Sequence, residues 1–370
     1  MEDRWFRLGD HSVLLIMLHV ATNSLVANAR SSTSTDAELN AVAQSFFDAI
    51  STVSRDEANA ALRTLSQHFN LANPSRSGFL ALICGTLIER GCDPLAIAAP
   101  LTERLAILLK SSVELANTCA EQSTDSEGDD PIENFEQKRA RNAATMEEQN
   151  AAWEALHQFW RPAIVVYSLD AQARSSARHL RTLAAQISEF HDAGHWLALM
   201  LAVLDDEPLV AIEPQTRLGI VGRISGIVDN FQLNVLLMDG FPNPGLLRRR
   251  RVTQEVAAIA NGKGPQQSGH TVTGVWNLYT WKAIGPGLTL PDANDYGAND
   301  HWVWNEGCPD DIPVFDGHRA VLLGPASYPR SWQSQRMFNH LAANIEIERK
   351  LTKDEVSDWL KRMAAAKEAS

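Results

Sequence analysis

Apolar residues recur at helical spacing over roughly the first two hundred positions, then in short or alternating clusters, so one change of period divides the chain. In the first part, LNAVAQSFFDAI and ANAALRTLSQHF each follow a capping box, Thr35-x-x-Glu38 and Ser54-x-x-Glu57. There the hydroxyl can accept the N3 amide while the glutamate reaches back to the cap amide, which predicts two helix starts. A third helix is expected over about 78–90, ended by Gly91 in the left-handed C′ position. A fourth follows Asp93-Pro94 and is expected to bend at Pro100, whose ring removes a backbone donor. Helical spacing resumes near Ala143 and puts Trp153, Leu156, Phe159 and Trp160 on one stripe, with Pro162 starting a new element.

Beyond Asp205 the pattern predicts strands over 209–212 and 218–228, then a helix, NFQLNVLLMDGF, capped by Asp229. An arginine-rich helix over about 249–260 and a glycine-rich loop follow, then strands over 271–283, 302–304, 319–323 and 344–351. A last capping box, Thr352-x-x-Glu355, opens a helix expected to bury Val356, Trp359, Leu360 and Met363. This order predicts an α+β protein: a helical N-terminal domain over 1–205, then a mixed α+β domain over 206–370 with a small, largely antiparallel sheet. A length of 370 residues suits two cores, since single cores stop growing near roughly 250–300 residues.

The N-terminus carries two competing signals. Residues 13–18 read as the apolar stretch of an export signal and Val26-Ala27-Asn28-Ala29 as its cleavage site, yet Glu2, Asp3 and Asp10 outweigh Arg4 and Arg7 where such a signal is positive. His19, Thr22, Asn23 and Ser24 also interrupt the run before it reaches the roughly 20 residues of a membrane span. The expectation is a buried helix, with a cleaved signal as the alternative.

A formal charge of −12 disfavours binding to phosphate backbones, so no nucleic-acid partner is expected, and no membrane either. Cys84, Cys92, Cys119 and Cys308 form no C-x-x-C pair, which fits a reducing, cytoplasmic setting. The stretch STDSEGDD over 123–130 lacks apolar anchors and is expected to be an exposed acidic loop.

Two stretches could carry chemistry. His191-Asp192-Ala193-Gly194-His195 places two histidines at i and i+4 with a carboxylate beside the first, and resembles the H-E-x-x-H motif of zinc peptidases with aspartate for glutamate. The resemblance implies His191 and His195 as metal ligands, Asp192 as the acid–base group, and a candidate divalent metal. It covers five residues, and Leu201 or Met200 stands where the longer motif has its third histidine; a non-peptidase site would take Asp192 or Glu189 as third ligand. The second stretch, 299–332, gathers Trp302, Trp304, Tyr328 and Trp332 among Asn305, Glu306, Asp310, Asp311, Asp316, His318, Arg319 and Arg330. Aromatic walls with convergent charged groups suit a pocket for a small polar or cationic molecule. Of these, Trp302, Trp304, Asn305, Glu306, Asp311, Asp316, Arg319 and Arg330 are the candidate ligand-binding residues.

The loop 262–269 has the composition of a phosphate loop, but its lysine precedes the glycine spacing and Pro265 has no amide donor. The run 248–251 of four arginines sets positive charge against a helix N-terminus, which would suit a compensating anion. Together these readings favour a soluble binding or accessory protein that recognises a small polar ligand or a protein partner through its C-terminal domain. The alternative is a metal-dependent hydrolase or oxygenase built on His191 and His195, with Asp192 or Glu306 as the acid–base group.

Overall fold

The computed structural model describes residues 3–121, 131–243, 251–291, 300–325 and 330–369. The acidic stretch 123–130, the arginines at 248–250 and Tyr328 lie outside the described residues. The chain divides into two compact units, Met1–Leu201 and Ala202–Ser370. Helices fill the first and a mixed sheet organises the second, which is the α+β class expected from the change of period.

The helices are α1 (Asp3–Arg30), α2 (Asp36–Ile50), α3 (Arg55–Ser66), α4 (Pro74–Glu89), α5 (Ala98–Glu121), α6 (Pro131–Asn142), α7 (Glu147–Leu169), α8 (Ala171–Ala177), α9 (Arg181–Gln186) and α10 (Asp192–Ala202). Both N-terminal capping boxes form as the sequence predicts. Helix α4 starts about four residues earlier than expected. Asn73 accepts the amide of Arg76, and Pro74 occupies the first turn, where a missing donor costs nothing. The helix stops at Gly91, at φ 102°, with the amide of Cys92 bonded back to the Leu87 carbonyl. Pro100 falls in the first turn of α5, which continues to Glu121.

Pro162 corrects the sequence reading, because it lies inside α7 rather than at the start of a new element. Gly85 of α4 faces it: a Cβ there would sit 3.1 Å from Pro162 Cα, so the glycine allows close packing of α4 on the proline turn. Helix α1 is buried along one stripe only. Leu18, Thr22, Leu25, Val26 and Ala29 are covered, while Val13, Ile16, Met17 and Val20 are exposed. Among the described helices, α1 alone is long and apolar enough, over His11–Arg30, to cross a membrane by length and composition.

The second unit contains β1 (Glu207–Glu213), β2 (Leu218–Ser225), α11 (Asn230–Gly240), α12 (Gln254–Ala260), β3 (Gln267–Thr273), β4 (Trp276–Thr280), β5 (Val314–Phe315), β6 (His318–Pro325), β7 (Ser331–Gln335), β8 (Asn344–Lys350) and α13 (Lys353–Ala369). The main sheet runs β4-β6-β1-β2-β8, with β5 paired to β6; β1 and β6 are parallel and the other pairs antiparallel. Period-two alternation sends Leu209 and Ala211 of β1 into a core with α11 and α12, and Val210 and Ile212 into a core with α13.

The strand expected over 271–283 is two strands in different sheets, because β3 pairs with β7 while β4 joins the main sheet. Gly274 marks the break; a Cβ there would lie 2.9 Å from the Trp332 ring. The strand expected over 302–304 is a single bridge, Tyr279 to Trp302, with the Val303 amide bonded to Leu278 O beside β4. This short segment carries the next residues onto the start of α11.

Candidate functional site

In the histidine pentad, the first histidine is buried with both ring nitrogens engaged. His191 directly precedes α10 and is 5% exposed. Its Nδ1 lies 2.9 Å from the Ala193 amide, which can only donate, and its Nε2 lies 3.1 Å from Trp153 O, which can only accept. The neutral Nε2–H tautomer is thereby dictated, and neither nitrogen keeps a lone pair for a metal. Burial, with the His157 ring stacked at 4.3 Å, pushes its pKa down to about 4. Asp192 and His195 are exposed, and the His195 ring lies T-shaped to that of Trp196 at 5.1 Å. Among the described residues no three histidine, cysteine, aspartate or glutamate side chains are grouped to hold a metal. For His191 this geometry leaves no ring lone pair for a metal, while His195 and Asp192 stand exposed beside it.

The shifted histidine makes a stability prediction. With a folded value of about 4 against an ordinary 6.5, the neutral ring favours folding fully above pH 6.5, and that contribution is lost as pH falls through about 4. Urea unfolding of the wild type should lose on the order of 2 kcal/mol more between pH 7 and pH 4 than His191→Gln does. Equal pH profiles for the two proteins would contradict it.

Three of the candidate ligand residues turn out to hold the chain together. Arg319 donates through Nε to Glu207 at 2.9 Å, through Nη1 to the carbonyls of Asp310 and Ile312 at 2.6 and 2.9 Å, and through Nη2 to Asp310 Oδ1 at 2.8 Å. Four of its five N–H donors pin the 309–311 turn to β1 and β6. Asp311 accepts the Cys308 amide at 2.9 Å at the head of that turn. Asp316 occupies the left-handed position of the tight Asp316-Gly317 turn between β5 and β6 and pairs with Arg362.

Of the remaining candidates, the 304–306 segment lies against the start of α11, while Trp302 and Arg330 contact β4. Gly307 N–H bonds to Trp304 O, closing a turn over 304–307 that straps the start of the helix. The strap supplies acceptors to the first helical amides: Asn230 N–H to Gly307 O at 2.9 Å and Phe231 N–H to Asn305 O at 3.1 Å. Asp229 Oδ1 takes the Gln232 amide at 2.7 Å, and Asp229 O takes that of Leu233 at 3.1 Å. The amides of the first three helical residues, Asn230, Phe231 and Gln232, are thus all occupied, which leaves an anion few donors at this helix start. Asn230 Nδ2 donates to Trp304 O at 2.8 Å and Asn234 Nδ2 to Trp276 O at 3.3 Å.

What is left over points to donors. Asn230, Asn234 and Asn305 are each about 1% exposed, and the Oδ1 of each has no hydrogen-bond partner. An unpaired buried acceptor costs roughly 1–3 kcal/mol, so three beside one helix turn are a concentrated deficit. Negative charge adjoins them. Burial pushes Asp229 up to about 6, and the nearby Glu306 carboxylate, itself exposed, adds to the shift. Trp304 is 52% exposed with its ring 5.4 Å from Trp302, and Trp332 packs 5.3 Å from Phe231. Arg330 reaches Asn277 Oδ1 at 3.5 Å. The strap therefore brings Trp302, Trp304, Asn305 and Glu306 together, while Asp311 and Arg319 hold the turn that follows it and Asp316 serves the β5–β6 turn.

Asp229, Asn230, Asn234 and Asn277 are the residues that sequence reasoning missed or took for less. Asp229 was legible only as a cap. The available signal was two asparagines at i and i+4 in the otherwise apolar NFQLNVLLM, polar groups on a helix face that the fold buries. Searches against family models, curated proteins and solved structures find no match to this chain.

Proposed function

We propose that the C-terminal unit is a binding module for a small organic cation that presents N–H donors, an amine or a guanidinium, at the strap over α11. The observation that carries this reading is the set of three buried carboxamide oxygens without partners, on Asn230, Asn234 and Asn305. Such oxygens accept N–H groups and offer nothing to an anion. Asp229 and Glu306 supply the matching charge, and the exposed face of Trp304 suits a cation, an interaction of about 0.5–2 kcal/mol.

Agmatine, which stays cationic between pH 5 and 8, is the probe. Calorimetric titration should detect binding by the wild type, weakened about tenfold or more in Asn305→Leu, which loses one acceptor to a charged donor. Affinity should rise as pH climbs through about 6, because Asp229 ionises there, and this dependence should vanish in Asp229→Asn. Binding that is unchanged in Asn305→Leu, or absent throughout, would overturn the reading.

A further inference from the structure

The helical unit contains a second polar anomaly, on the opposite side of the charge ledger. Arg104 of α5 is only 9% exposed, yet among the described residues its guanidinium makes no hydrogen bond and no ion pair, and its Nε is fully buried without a partner. Burial lowers its pKa, and among the described residues no carboxylate offsets that effect. A buried charge lacking a counter-ion is among the least favourable arrangements in a folded protein. Arg104 lines a cleft of about 560 Å³ between the start of α4, the face of α5 and the start of α7. Leu71, Pro74, Ile107 and Leu108 give the cleft an apolar wall. Met146 places no side-chain cap on α7, so the positive end of that 23-residue helix opens beside the cleft. Glu147 and Glu148 stand exposed at the same border.

We propose that this cleft binds a small organic monocarboxylate, its carboxylate on the Arg104 guanidinium and its apolar body along the Leu71, Pro74, Ile107 and Leu108 wall. A planar guanidinium matches a carboxylate in two parallel hydrogen bonds. Two glutamates at the border repel a multiply charged anion such as phosphate, and an apolar wall offers such an ion nothing. The site is independent of the strap over α11, since it answers an unpaired donor in one unit where the strap answers unpaired acceptors in the other.

The full chain is titrated calorimetrically with hexanoate, and separately with inorganic phosphate and with hexanol. Hexanoate should bind, phosphate and hexanol should bind at least tenfold more weakly, and Arg104→Met should lose roughly 10–100-fold in hexanoate affinity. Without ligand, Arg104→Met should melt at or above the wild-type temperature, because it removes an uncompensated buried charge; a structural arginine would give a lower melting temperature. Arg104→Gln, which keeps a shorter, uncharged polar side chain, serves if the methionine variant does not fold. Hexanoate binding that survives loss of the guanidinium, phosphate binding in preference to hexanoate, or no hexanoate binding at 50 mM would each overturn the proposal.

Discussion

Replacing Arg336 by methionine is expected to cost the C-terminal unit about 3–5 kcal/mol, the largest effect of any single change considered. Arg336 follows β7, is 6% exposed, and among the described residues has no carboxylate partner. Its Nη1 donates to the carbonyls of Ile259, Gly264 and Pro265 at 3.1, 3.0 and 2.7 Å, and its Nη2 to Asn339 O at 2.8 Å. One planar fork thus closes the end of α12, the glycine-rich loop and the chain after β7 around itself. Truncation leaves four carbonyls short of a donor, each costing roughly 1–3 kcal/mol before relaxation and entering water reduce the sum. Lysine should not rescue, since a single ammonium cannot span these directions. Urea unfolding followed by tryptophan fluorescence checks it; a loss under about 1 kcal/mol would contradict the assignment. The same geometry settles the loop 262–269, whose composition imitates a phosphate loop. Its carbonyls, rather than its amides, turn inward onto a guanidinium, the wrong polarity for an anion.

Arg319→Met should cost about 3 kcal/mol and should also weaken binding at the strap. The substitution strands Glu207 and Asp310, whose carboxylates lie 2.9 and 2.8 Å from the guanidinium in a part-buried setting, together with two turn carbonyls. The 309–311 turn follows directly on the strap, so loosening it lets Asn305 and Glu306 move away from α11. On the proposed reading Arg319 is a positioning residue for the strap. Agmatine affinity should fall several-fold in this variant even at 10 °C, where the protein remains folded. Unchanged stability with lost affinity would mean instead that Arg319 contacts the ligand.

The fold was legible where local chemistry decides structure. Capping boxes at Thr35, Ser54 and Thr352 each form, because a hydroxyl and a glutamate three residues apart satisfy each other without help from the rest of the chain. Pro162 and the stretch 271–283 were misread because tertiary packing decides them. A proline sits inside α7 opposite Gly85, and a break at Gly274 beside Trp332 sends two halves of one apparent strand to different sheets. The site was half legible. Trp302 to Glu306 stood out by composition, whereas Asp311, Asp316 and Arg319, equally conspicuous, serve turns and ion pairs that only the partner positions reveal. His191 shows the same limit: i, i+4 spacing fits a metal pair, but the tautomer and the two bonds that use up the ring depend on Trp153, far away in sequence.

The central claim, that buried asparagine oxygens over α11 await an N–H donor, is tested most directly at those side chains. With asparagine alone labelled with nitrogen-15, the side-chain amide resonances of Asn230, Asn234 and Asn305, assigned by single substitutions, are followed during titration with agmatine. A hydrogen bond accepted at Oδ1 polarises the whole carboxamide, so these three resonances should shift together with one saturation curve while asparagines of the helical unit stay in place. Shifts confined to other asparagines, or three resonances that never move at saturating agmatine, would contradict the account.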